Sequence, residues 1–108
     1  MSHRTWLLAV ALAAPLTALA QAITPPGKVE SLIKRGILQH VATAGESPAT
    51  TITWRFLKSD FESQEQTARW AFEYVLLMNP KATKITLVNS SGQTVGTFSK
   101  NKLTLSGS

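Results

Sequence analysis

Side chains able to move protons or attack a substrate are scarce in this sequence. It holds 108 residues, two histidines (His3 and His40) and no cysteine. Without thiols there is no disulfide, no thiolate nucleophile and no cysteine metal ligand. No serine lies in a G-x-S-x-G turn. The carboxylates Glu30, Glu46, Asp60, Glu62, Glu65 and Glu73 are spread along the chain. Asp60, Glu62 and Glu65 gather at the start of a predicted helix, where negative charge complements the helix dipole. A single histidine beyond the N-terminal segment leaves a metal site without its usual ligands. The pattern points away from an enzyme and predicts neither a metal nor a cofactor. The catalytic alternative is a hydrolase acting through His40, a lone imidazole near an apolar seam, where a structural role is the commoner one.

Positive charge offers more. Eleven Lys and Arg stand against six Asp and Glu, a formal balance of +5. Lys81, Lys84, Lys100 and Lys102 lie on either side of a predicted hairpin, whose return brings all four to one end of a sheet. Ammonium groups gathered in this way suit phosphate or carboxylate. They also complement the negative end of the preceding helix. A second candidate surface is the sheet face left bare if every helix lies on the other: Thr51, Thr53, Arg55 and Leu57, with Thr86 and Val88.

Five elements must position these groups. Residues 63–80 form the longest periodic stretch, with Ala68, Ala71, Phe72, Val75 and Leu76 on one helical face. Ser63 followed by Gln66 predicts a capping box at its start, and Asn79-Pro80 ends it. Its C-terminal half, apolar all round, is expected to be the more deeply buried. Trp70 and Tyr74 are read as core packing rather than a ligand-stacking pair. Upstream, two prolines stiffen residues 23–27. Residues 28–43 then read as an amphipathic helix on Val29, Leu32, Ile33, Ile37 and Val41, closed by Gly45. Within it, Gly36 predicts the close approach of a neighbour. TTITWRFLK at 50–58 alternates as a strand with Ile52, Trp54 and Phe56 inward. Residues 84–89 and 94–99 make a hairpin through Ser90–Gln93, and Leu103–Leu105 is an optional last strand. The expected fold is α+β: a small two-layer sandwich in the order α-β-α-β-β(-β), with a mixed sheet and both helices on one face.

Arg4 followed by an uncharged apolar run at residues 6–20, with small residues at Ala18 and Ala20, has the layout of a secretory signal peptide. Cleavage is expected after Ala20 or Ala22. The chain then divides into a signal at 1–22, one domain at 23–105 and a frayed tail at 106–108. Removing Arg4 leaves ten basic against six acidic side chains, a balance of +4. A secreted chain of this size without disulfides suggests the bacterial periplasm. The alternative is an inner-membrane protein with an uncleaved anchor.

The element order resembles that of BON domains, small envelope modules thought to contact membrane phospholipid. The resemblance lies in the order alone. The glycines and closing Gly-Val signature of that family do not occur here, and no residue carries over. The expectation is a small periplasmic, non-catalytic binding or adaptor module, acting through the open sheet face or the lysine corner. Its partner would be an envelope protein. The alternative partner is an anionic phospholipid or lipopolysaccharide surface. Nucleic acid is not expected, because the aromatics point inward rather than alternating with the lysines. A second copy would use the sheet face or an edge strand.

Overall fold

The computed structural model describes residues 24–106; the expected signal segment and residues 107–108 lie outside them. The elements are α1 (Pro25–Lys34), β1 (Leu38–Val41), β2 (Ala49–Ile52), α2 (Trp54–Lys58), α3 (Phe61–Met78), β3 (Ile85–Val88), β4 (Thr94–Ser99) and β5 (Lys102–Leu105). The five strands form one mixed sheet in chain order. β2 and β3 run parallel, joined through α3, and the other neighbours are antiparallel. α1 and α3 pack on each other and on the sheet, α1 over β1 and α3 over β4 and β5. The α+β sandwich and its mixed sheet are as expected. Three boundaries are not.

The first helix is shorter than expected and starts earlier. Thr24 caps it by accepting the Gly27 N–H at 3.4 Å, and prolines occupy its first positions, where the missing N–H has no partner to lose. Gly36 ends it at φ +75°. The Gly36 N–H bonds to Ile33 O and the Ile37 N–H to Leu32 O, each at 3.0 Å, the bond pair of a left-handed helix stop. Residues 38–41, expected to continue the helix, instead pair with β2. The predicted close approach at Gly36 is real: a Cβ there would lie 3.3 Å from Arg55 Cδ and Nε.

The strand expected over 50–58 stops at Ile52. The Thr53 hydroxyl donates towards the Gly36 and Ile37 carbonyls and accepts the Arg55 N–H, so it caps the short helix α2. Trp54 is therefore outward, 60% exposed, whereas Phe56 is fully buried. Thr53, Arg55 and Leu57 leave the sheet face to which the alternation assigned them.

The third correction concerns α3. Its cap is Asp60, whose Oδ1 accepts the Ser63 N–H at 2.7 Å, three residues before the expected cap. Burial does not deepen towards its C-terminal end as expected: Ala71 and Val75 are fully buried, but the last turn is not. Gln64 and Thr67 are buried in the first half, whereas Leu77 and Met78 at the end are 59% and 56% exposed. Gln64 tolerates burial because its Nε2 donates to Phe56 O at 3.1 Å, in the last turn of α2.

The core joins Leu32, Leu38, Ile52, Phe56, Ala68, Ala71, Val75, Ile85, Leu87, Phe98 and Leu103. Full burial of each large member contributes about 1.5–3 kcal/mol. Thr50 is buried on the same side of β2 as Ile52, and its hydroxyl has no hydrogen-bond partner among the described residues.

Candidate functional site: the lysine end and the open face

Register fixes the lysine end. Ile85 pairs with Phe98, which brings Lys84 level with Ser99, and Ser99 pairs with Lys102. Lys84 and Lys102 thus flank Ser99 across three strands. Lys100 and Asn101 form the two-residue turn between β4 and β5, with φ of 52° and 61°, the backbone of a type I′ hairpin. Lys81 lies in the turn after α3, which is tied to the β1–β2 loop. There the Asn79 Nδ2 donates to Thr43 O at 2.8 Å and to Gly45 O at 2.7 Å, and the Thr83 N–H donates to Glu46 O at 3.2 Å. All four lysines are exposed. None enters an ion pair among the described residues; the pair found there joins Lys34 to Glu30 at 3.2 Å on α1. Glu46 lies in the β1–β2 loop at the same end, and the Glu65 carboxylate reaches the backbone of Leu103, next to Lys102.

The face away from the helices is half-buried and rich in threonine. Thr86, Thr97 and Thr104 stand level across β3, β4 and β5, and Ala49 stands level with Thr86 on β2. Thr51 is level with Val88 on one side and His40 on the other. The Ser47 and Thr86 hydroxyls share a hydrogen bond of 2.8 Å. Thr51, Thr86 and Val88 are where the alternation put them. His40 is not: it is an exposed residue of edge strand β1, not a member of a helical seam. Among the described residues, no three of His, Asp and Glu come together as a group able to hold a metal ion. No helix among them is long and apolar enough to cross a membrane. The ladder runs on to Ser106, whose N–H donates to Val95 O at 2.9 Å.

One edge is already occupied. The Leu103 N–H of β5 donates to Glu65 Oε2 on α3 at 3.0 Å, so a carboxylate covers part of the row that strand addition would use. Between α1 and α3 lies an open cleft of about 250 Å³, lined by Leu32, Arg35, Ile37, Ser63, Gln66 and Trp70 among others. Trp70 packs against the core with part of its ring free, and Lys28 Nζ sits 5.1 Å from the ring centre.

The group that the alternating pattern concealed is on α2 and the start of α3. Trp54, Leu57 and Phe61 are 60%, 50% and 51% exposed. The Arg55 guanidinium lies 4.9 Å and the Lys58 ammonium 5.2 Å from the Trp54 ring centre. Two caps within the stretch, Thr53 and Asp60, were the sequence signal for a helix here. The Ser63 N–H that the Asp60 carboxyl accepts holds its pKa below the ordinary 3.8.

Comparison of the chain with protein-family models, with curated proteins and with solved structures gives no match. The order observed, with β1 and α2 added, also departs from the one on which the likeness to BON domains rested.

Proposed function

We propose that the domain is a non-catalytic binding module of the cell envelope that holds an acidic partner against the lysine end of its open sheet face. The observation that carries this reading is the register that sets Lys84 and Lys102 on either side of Ser99, with Lys100 in the adjoining turn. Four ammonium groups stand there without an ion-pair partner among the described residues. Threonines of the open face continue from them and can supply hydroxyl hydrogen bonds. Export to the periplasm rests on the apolar run at residues 6–20, and retention by an uncleaved anchor is the alternative.

The test is salt-dependent retention of the full chain on immobilised polyglutamate. The wild type is expected to be retained at low salt and released at high salt. Changing Lys81, Lys84, Lys100 and Lys102 together to Gln should abolish retention. Changing Lys28, Lys34, Arg35 and Lys58 to Gln removes the same charge elsewhere and should leave most of it. Equal losses in the two variants would reduce the effect to net charge and remove the lysine end from the account.

A further inference from the structure

The end of the molecule that carries α2 has a surface of a different kind. Within eight residues the chain exposes Trp54, Leu57 and Phe61 by half or more. Trp54 and Leu57 share one side of α2 by their spacing, while Phe56 on the other side is the plug that fixes the helix to the core. The two cations of this helix, Arg55 and Lys58, both lie against the Trp54 ring. Gly36 abuts Arg55, so the exposed Arg35 stands at the neighbouring turn.

Two carboxylates flank Phe61 in sequence, and both are exposed. Asp60 accepts the Ser63 N–H. Glu62 is an exposed residue of the first turn of α3, next to Phe61. The exposed apolar side chains therefore have cations beside them on α2, while the two carboxylates lie at the start of α3.

We infer that α2 and the first residue of α3 seat the protein on an anionic phospholipid surface, with Trp54, Leu57 and Phe61 in the headgroup–acyl boundary and Arg55 and Lys58 at the phosphates. Tryptophan is suited to that boundary because its ring is apolar and its N–H needs a polar partner. The area favours a membrane over a protein partner. Three half-exposed side chains offer roughly 300 Å², whereas a stable protein interface takes about 800 Å² from each side. A shallow interfacial contact assisted by anionic lipid has no such requirement.

The absence of cysteine gives a clean probe. Leu57→Cys in the full chain, labelled with an environment-sensitive fluorophore, is mixed with vesicles of phosphatidylglycerol and phosphatidylcholine or of phosphatidylcholine alone. A blue shift and quenching by brominated lipid are expected with the anionic vesicles only. A label at Glu73→Cys, on the exposed side of α3, should not shift; this separates seating of α2 from tethering by residues 6–20. Adding Arg55→Gln and Lys58→Gln should raise the vesicle concentration needed by about five-fold for each charge removed.

Changing Lys81, Lys84, Lys100 and Lys102 to Gln should leave the Leu57 signal in place. Loss of the signal in that variant would assign membrane contact to the lysine end and overturn the inference. So would an equal shift with neutral vesicles, or no shift with either. A label already blue-shifted without vesicles would mean that the N-terminal segment or a second copy covers the surface, and would overturn it too.

Discussion

The lysine end and the α2 end are both exposed and both cationic, yet they are built differently. At the first end Lys84, Lys100 and Lys102 project from the turn and strand ends of β3 to β5 and Lys81 from the turn after α3, with threonines beside them. At the second, two cations lie across an indole ring, and apolar side chains replace the hydroxyls. Exposed lysine carries its charge at the end of a solvated stem, so the first surface should respond mainly to salt. The apolar area of the second adds a requirement for lipid to the salt dependence of its two cations.

Substitutions can break this comparison by removing one end at a time. Phe56→Ala should have the largest effect. It opens a cavity under α2 and should cost about 3–5 kcal/mol in denaturant unfolding, whereas Trp54→Ala, two residues away and outward, should stay within about 0.5 kcal/mol. Equal costs would mean that α2 is not anchored as described. Gly36→Ala should cost about 1–2 kcal/mol, because φ +75° is a left-handed conformation that an L side chain resists. The added methyl also meets Arg55, so the Leu57 label should sense the change while polyglutamate retention does not.

Thr50→Val should have the opposite sign, stabilising by about 1 kcal/mol through removal of an unpartnered buried hydroxyl. A loss on that change would show that the hydroxyl has found a partner, such as a water. A smaller effect is expected at Asp60. Its pKa is lowered in the folded state, so its contribution is present above the unfolded value and lost as the pH falls through the folded one. Asp60→Asn should melt below the wild type at neutral pH, with the gap closing as the pH drops below 3.8. The smallest change in stability is expected for the four-lysine variant, within about 0.5 kcal/mol, even as it loses polyglutamate retention.

The lysine end was legible in advance because hairpin register is local. Turn residues at 90–93 and alternation on both sides fix which residues face each other. The α2 end was not legible, because TTITWRFLK satisfies a period of two while also carrying a Thr cap. The deciding contact is between Thr53 and the carbonyls of Gly36 and Ile37, sixteen or more residues away. Residues 38–41 failed for a related reason. Leu38 and Val41 fit a helical face as well as a strand, and the left-handed turn at Gly36 together with pairing to β2 selects the strand.

The sequence by itself determined the class of fold, the long third helix, the closing hairpin and the gathering of four lysines, since each follows from periodicity, caps and turns within a short span. Only the tertiary structure decided where the first helix ends, that Trp54 faces outward, and that Gln64 rather than Leu77 is buried. In each case local preferences were nearly balanced. A distant backbone partner or the limited extent of the sheet supplied the remaining free energy.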